Sequence, residues 1–323
     1  MLDTNGRNVT DQSISPVMVV VGELNVDLIL EEINQLPEIG KERIAKGMTL
    51  TLGSSSAILA SNASMLGLDV GFIGRIGRDA FGELALRSLQ DSRVDTRHII
   101  ETEGLTTGVT TIFTHRNDRG MLTYPGAMES LVLDDIPWDY LHQAKHLHLS
   151  SYYLQSGLRP SCKELFRRAK QLGLSTSLDT NWDPEEKWGK DVLDVLPYID
   201  IFLPNDHEAR LISGKNDLDA ALEFLSQRAG IVVATCGAEG VRAQQGDQKL
   251  SLPGLPVRPV DAVGAGDSFN AGFLNRYLGG EKLEDCLHYG LLTGAFSTLG
   301  SGGTSAFRDR DHFRRFSREM NAH

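Results

Sequence analysis

Val260-Asp261-Ala262-Val263-Gly264-Ala265-Gly266-Asp267-Ser268-Phe269 sets three small residues in front of a carboxylate, and a long apolar pattern follows. Such a stretch suits a turn that opens a helix. Unpaired amides and the positive end of the helix dipole favour phosphate at such a place. Asp267 on the rim would take a proton from a hydroxyl while the amides hold the phosphoryl group that the hydroxyl attacks. A plain glycine-rich turn whose Asp caps the helix fits the same residues, and the stretch alone leaves both readings standing.

Working outward, strands and helices alternate. Residues 17–21 read as a buried strand running into Gly22, and residues 26–31 alternate before extending toward Pro37 and Gly40. Residues 57–66 read as a helix ending at Gly67, 70–73 as a strand stopped by Gly74, and 81–89 as a helix. Strands follow at 145–149, 174–178, 199–203 and 231–235, with helices at 161–172, 218–227, 267–278 and 283–298. This is the pattern of a layered α/β fold. Residues 107–124 behave differently: 110–114 and 121–124 flank the polar turn 115–120, a hairpin with no helix between its strands. With the extended segments around 28–51 it makes a small accessory sheet projecting from the main domain.

At 323 residues the chain is long enough for one large α/β domain or two modest ones, burying roughly 70–75% of its unfolded surface. The net charge of −11, from 43 acidic and 32 basic residues, argues against a broad nucleic-acid surface but leaves room for a local phosphate site. Cys162, Cys236 and Cys286 are scattered and odd in number, which suggests a reducing compartment and no disulfide scaffold. Residues 1–16 form a polar, flexible tail without the apolar core of a signal peptide. No stretch reaches the length and purity of a membrane span. The expectation is a cytoplasmic protein with no membrane or nucleic-acid partner.

Parallel sheets place ligands at the carboxyl ends of their strands, and several polar clusters fall there. Asn25 and Asp27 share one face of an extended chain and suit vicinal hydroxyls; an ordinary polar rim is the other reading. Asn205 and Glu208, three apart at a helix start, suit Mg²⁺ directly or through water, and equally suit a capping box. Gly237 and Gly240 after the strand ending at Thr235 allow a nucleotide close to the backbone, or serve a hairpin. His146 and His148 share a face, but no neighbouring cysteine completes a zinc set. A P-loop, G-x-x-x-x-G-K-S/T, is absent, and Val21-Gly22-Glu23-Leu24-Asn25 lacks the later glycines of a dinucleotide fingerprint.

In their order these motifs resemble the ribokinase-like sugar kinases, the PfkB carbohydrate kinase family, from about residue 17 to about 310. The family pattern D-T-x-G-A-G-D reads here Asp261-Ala262-Val263-Gly264-Ala265-Gly266-Asp267. The resemblance implies that Asp267 is the catalytic base and that the amides of Gly264, Ala265 and Gly266 form an anion hole. Gly22-Glu23-Leu24-Asn25-Val26-Asp27 is similar to the substrate strand, with Asp27 holding sugar hydroxyls. Gly74-Arg75-Ile76-Gly77-Arg78-Asp79-Ala80-Phe81-Gly82 looks like the family's G-x-x-G-x-D-x-x-G segment. Asn205-Asp206-His207-Glu208 matches N-x-x-E, associated with Mg²⁺ and phosphates. Thr235, Gly237 and Gly240 fall where nucleotide contacts are expected, and Asn181 falls near the phosphates. The implied architecture is a three-layer α/β/α domain over residues 17–323, with a β-sheet lid from about 28–51 and 107–125. In some relatives that lid also forms a homodimer interface.

Two departures bear on the substrate. The family's G-G-x-x-x-N-x-A reads Gly53-Ser54-Ser55-Ser56-Ala57-Ile58-Leu59-Ala60. Ser54 stands for the second glycine and Ile58 for an asparagine that commonly touches substrate. Losing that amide removes a donor and an acceptor from the pocket and weighs against ribose. Ala262 stands for Thr in a loop that binds a monovalent cation such as K⁺ in many relatives. The expected reaction is transfer of the γ-phosphoryl of ATP, with Mg²⁺, to a hydroxymethyl group of a sugar or sugar-like substrate. Alternatives are a nucleoside kinase, with Tyr124, Tyr152 or Tyr153 for stacking, or a phosphosugar kinase, with Arg116 or Arg119 as receptor. A sugar-binding module without turnover is the reading from another class.

Overall fold

Every residue of strand β1 (Met18–Val21) is apolar and fully buried, the signature of a strand covered on both faces. In the computed structural model, which describes residues 15–115 and 118–321, β1 lies inside a nine-stranded sheet. The remaining strands are β2 (Asn25–Glu31), β3 (Gly47–Leu52), β4 (Val70–Gly77), β5 (Asp95–Thr102), β6 (Gly108–His115) and β7 (Asp118–Tyr124). They continue as β8 (His146–Leu149), β9 (Ser175–Leu178), β10 (Ile201–Phe202), β11 (Ile231–Thr235), β12 (Val241–Gln245) and β13 (Gln248–Leu252). The large sheet runs β13-β12-β11-β10-β9-β8-β1-β4-β5, parallel except for the antiparallel pairs β11–β12 and β12–β13. The expected tail up to residue 14, and Arg116, lie outside the described residues.

Helices α1 (Ser55–Met65), α2 (Ala80–Asp91), α3 (Trp138–Leu141), α4 (Cys162–Gln171) and α5 (Asp191–Val195) are followed by α6 (Asp206–Ser213), α7 (Leu218–Ser226), α8 (Ala265–Leu278), α9 (Leu283–Ser297) and α10 (Arg310–Asn321). Alternation along β1 sorts them into layers. Val19 and Val21 pack in the core with α4, α5 and α7, while Met18 and Val20 pack with α1, α2, α8 and α9. The result is the expected three-layer α/β/α arrangement. α8 and α9 approach closely because a Cβ at Gly272 would lie 2.1 Å from Thr293 Oγ1.

A second, four-stranded sheet runs β3-β2-β6-β7 and forms the small lid. Its β6–β7 ladder continues to the pair His115–Asp118, so most of the polar stretch expected as a turn is strand and Arg119 pairs with Thr114. Other expectations are corrected at their edges. β4 does not stop at Gly74 but runs to Gly77; Gly74 marks a close approach, where a Cβ would lie 2.9 Å from the Gly22 carbonyl oxygen. β5 and α10 have no counterpart in the sequence reading.

β1 lies between β4 and β8, so the chain leaves it in both directions across the sheet. A crevice opens at the carboxyl ends of strands at such a switch point. Glu23 after β1, Ser151 after β8, Asp179 after β9, Asn205 after β10 and Thr235 ending β11 stand in a row along it.

Candidate active site

The opening turn sits at one end of that row. Gly264 caps α8 with φ 73°, a left-handed conformation that glycine adopts without a Cβ penalty. A Cβ there would also lie 2.7 Å from Gly303 Cα and 3.1 Å from Ile58 Cγ2. Ile58 therefore packs against the turn itself and also lines a cavity beside it. Asp261 fixes the approach: its Oδ1 accepts from the Val263 amide (2.9 Å) and its Oδ2 from the Gly302 amide (2.8 Å). Ala265, Gly266 and Asp267 then occupy the first turn of α8, where amides lack intrahelical partners.

Two cavities meet at this turn. The larger, about 1040 Å³, lies under the lid; the smaller, about 450 Å³, lies over the ends of β10 and β11. Asp267, Gly264, Asn181 and Arg119 line both. Asp267 Oδ1 accepts a hydrogen bond from Ser55 Oγ in the first turn of α1. Burial pushes the Asp267 carboxyl up to about 6, against the Ser55 hydrogen bond, which lowers it.

Asn25 and Asp27 stand at the lid end of the larger cavity, where β2 crosses from the domain into the lid. Burial and then the negative charge of Asp267 push the Asp27 carboxyl up to about 7, while Arg119 pulls it down. Asn25 Nδ2 donates to Thr110 Oγ1 (3.0 Å), and its Oδ1 is buried without a protein partner. Gly53 leaves room for both side chains: a Cβ would lie 2.2 Å from Asp27 Oδ1 and 2.8 Å from Asn25 Oδ1. Ser54 lines this cavity but has structural work of its own. Its Oγ donates to the Glu23 carbonyl (2.5 Å) and accepts from the Ala57 amide (3.2 Å), capping α1.

On the other side, Asn205 and Glu208 form the capping box of α6. Glu208 N donates to Asn205 Oδ1 (2.8 Å), and Asn205 N and Nδ2 donate to the Glu208 carboxylate at 3.0 and 2.6 Å. The carboxylate is nonetheless buried in the smaller cavity, and burial pushes it up to about 7. Asp179, close by, is raised well above its ordinary range by burial and then by Glu208 and Asp267. The negative charges of Glu208 and Asp267 thus raise Asp179 across this cavity, but among the described residues no group of three or more His, Cys, Asp or Glu is placed to hold a metal ion. Thr235 and Gly237 line the same cavity, Gly237 with φ 57°. Gly240 lines neither cavity; a Cβ there would lie 2.1 Å from the Leu252 carbonyl oxygen, so it serves the β12–β13 hairpin.

Several site residues had no role in the sequence reading. Glu23 anchors the crevice: its carboxylate accepts from Ser56 N (3.1 Å), Ser56 Oγ (2.5 Å) and Ser151 Oγ (2.7 Å). Ser151 Oγ also accepts from Asn181 Nδ2 (2.7 Å), and Asn270 Nδ2 donates to Asp179 Oδ2 (2.7 Å). Of the three tyrosines considered for stacking, only Tyr153 lines the larger cavity; Tyr152 is buried with its hydroxyl on Asp191 (2.9 Å), and Tyr124 lies outside. His146 and His148 are buried between β8 and β9, hydrogen-bonded to Ser175, Ser177 and Ser150. Among the described residues no helix is long and apolar enough to cross a membrane.

Known proteins share this architecture. A sugar kinase described as uncharacterized, from Archaeoglobus fulgidus, is 31% identical over 69% of this chain and 88% of its own. An ATP-dependent ribose-1-phosphate kinase from Halopiger xanaduensis is 28% identical over 88% and 93%. The crystal structure of a putative ribokinase II from E. coli, in complex with ATP and Mg²⁺, superposes with a TM-score of 0.83 at 22% identity, covering 94% of this chain and 99% of that one. Residues 16–310 match the pfkB family carbohydrate kinases, and the chain belongs to that family of ATP-dependent phosphotransferases.

Proposed function

We propose that this kinase transfers the γ-phosphoryl of ATP in line to a hydroxymethyl group of a sugar-like acceptor, with Asp267 as base. The observation that carries the reading is the position of Asp267 and Gly264 on the wall shared by the two cavities. Acceptor hydroxyls lie against Asn25 and Asp27, beside Gly53 and Ile58. The triphosphate approaches from the Thr235 and Gly237 side, with Asn181 near the phosphates. Asp267 takes the hydroxyl proton as the oxygen attacks, and a carboxyl near 6 is ionised for that task at neutral pH. The amides of Gly264, Ala265 and Gly266 receive the charge that develops on the phosphoryl oxygens. Arg119, on the lid and lining both cavities, adds a cation at the junction. Asn205 and Glu208 would hold Mg²⁺, directly or through water, and the ion would there neutralise phosphate charge.

Lid closure excludes water and limits wasteful ATP hydrolysis. Met48, Leu50, Leu122 and Tyr124 are apolar and exposed on the lid strands, which supports a homodimer formed through the lid. A phosphosugar acceptor, of the kind named for the Halopiger relative, fits less well. Arg119, which lines both cavities beside Asp267, would there meet the phosphates of ATP. Incubation with ATP–Mg²⁺ and a panel of sugars and nucleosides, read by ADP release and product mass, tests the reading. A monophosphorylated acceptor is expected; saturable sugar binding with no ATP-dependent product would identify a binding module instead.

A further inference from the structure

We infer that Glu23 is a positioning residue for phosphoryl transfer, acting through Ser151 on Asn181 and through Ser56 on the first turn of α1; this rests on the kinase reading above.

Glu23 follows β1 at the switch point of the sheet and is 2% exposed. Two separate elements donate to its carboxylate: Ser56 through N and Oγ (3.1 and 2.5 Å), and Ser151 through Oγ (2.7 Å). Gly22 makes the first contact possible. A Cβ there would lie 1.9 Å from Ser56 Oγ and 2.6 Å from Ser56 Cβ, so a larger residue would displace Ser56 from Glu23. Ser56 stands next to Ser55, which donates to Asp267. The carboxylate that seats α1 therefore also seats the donor to the base.

The second branch reaches Asn181. A carboxylate that accepts from three donors has no proton to give, so the Ser151 hydroxyl proton goes to Glu23 and Ser151 Oγ accepts from Asn181 Nδ2 (2.7 Å). The direction of this relay fixes which end of the Asn181 amide faces Ser151. Asn181 lines both cavities, as Asp267 does.

Backbone strain converges on the same carboxylate. Among the described residues, seven non-glycine residues have positive φ. Three of them, Ser54 (73°), Ser151 (54°) and Asn181 (52°), are bonded to Glu23 directly or through one hydroxyl. Such conformations persist only where the surroundings over-determine them, and they gather at functional sites.

Glu23 also acts on the base by its charge. Beyond burial, which raises Asp267 most, the negative charge of Glu23 pushes it the same way, against Ser55 and Arg119. Asp27 on β2, Asp179 after β9 and Glu208 on α6 face Asp267 from the other elements of the crevice, and its charge raises all three.

The test uses the full-length enzyme with ATP–Mg²⁺ and the acceptor that gives most product. Ser151→Ala should slow single-turnover phosphoryl transfer about tenfold, with KM for the acceptor within about twofold of wild type. Ser151→Ala combined with Asn181→Ala should lose no more than Asn181→Ala alone, because the hydroxyl acts through the amide. Glu23→Gln keeps the shape and an oxygen for Ser56 N and Ser151 Oγ, so it isolates the charge. Its acid limb should move to lower pH, raising activity at pH 5.5 relative to pH 8 about twofold. Additive losses in the double variant overturn the inference. A pH profile of Glu23→Gln that does not move, with or without a lower Tm, overturns it as well. Both results leave the kinase reading standing, whereas a wild-type enzyme that phosphorylates no acceptor overturns the two together.

Discussion

Ser55, in the first turn of α1, donates a hydrogen bond to Asp267, in the first turn of α8, across 212 residues of sequence. The bond favours the ionised carboxylate that a general base requires and opposes the burial that raises it. In Ser55→Ala the Asp267 carboxyl therefore titrates above its present value of about 6. The acid limb of the kcat/KM profile should move to higher pH, so that activity at pH 6 falls roughly threefold to tenfold while activity at pH 8.5 changes little. A uniform loss at all pH values would show that Ser55 only positions α1.

Asp27 is buried at a cost to stability. Its carboxyl is raised to about 7 in the fold, chiefly by burial, whereas in the unfolded chain it titrates near its ordinary value. Between about pH 4 and 7 the folded state thus keeps a proton that the unfolded state has lost. Stability contributed by this group falls as pH rises through that window and stays lower above it. Asp27→Asn should raise Tm by a few degrees at pH 8 and hardly at all at pH 4, while losing acceptor binding. Melting curves at the two pH values check this; an equal shift at both would contradict it.

What the sequence reveals about this site follows from the range of the interactions. The turn at 264–267 and the Asn205/Glu208 box are local, so their spacing alone shows them, and Asp27 stands out beside Asn25 on one strand face. Ser55–Asp267, Glu23–Ser151 and Asn270–Asp179 join elements far apart in the chain, and no spacing announces such pairs. The same holds for the larger cavity, which Tyr153 and Trp182 reach from separate loops. β5 is not legible in the sequence because Asp95-Thr96-Arg97-His98-Ile99-Ile100-Glu101-Thr102 lacks regular apolar alternation. α10 did carry a signal, with Phe313, Phe316 and Met320 spaced for one helix face, but it lies past the family motifs.

Gly53 is an uncompensated constraint. A methyl group at this position would fall 2.2 Å from Asp27 Oδ1, so the carboxylate must move away from its place in the larger cavity. Gly53→Ala is expected to raise the acceptor KM by about tenfold or more, with ATP–Mg²⁺ affinity unchanged by calorimetry. Equal losses in both affinities would mean a general disruption of the crevice.

Glu208 caps α6 and lines the smaller cavity, and its cap role separates from the proposed Mg²⁺ role by measurement. Glu208→Gln removes the charge and keeps only one acceptor oxygen for the two Asn205 donors that the carboxylate accepts. Stability should fall by about 1–3 kcal/mol, while the Mg²⁺ concentration for half-maximal activity rises about tenfold. A fall in Tm with unaltered Mg²⁺ dependence would assign Glu208 to the helix cap alone.

The role of Asp267 as base is tested most directly by single-turnover kinetics of Asp267→Asn, with the acceptor identified by product mass, alongside calorimetry of ATP–Mg²⁺. Asn fits the same space, so folding and nucleotide affinity should stay near wild type while phosphoryl transfer slows by about 10²–10⁴-fold. Phosphoryl transfer at a near-normal rate, with nucleotide bound, would contradict the assignment of Asp267 as the base.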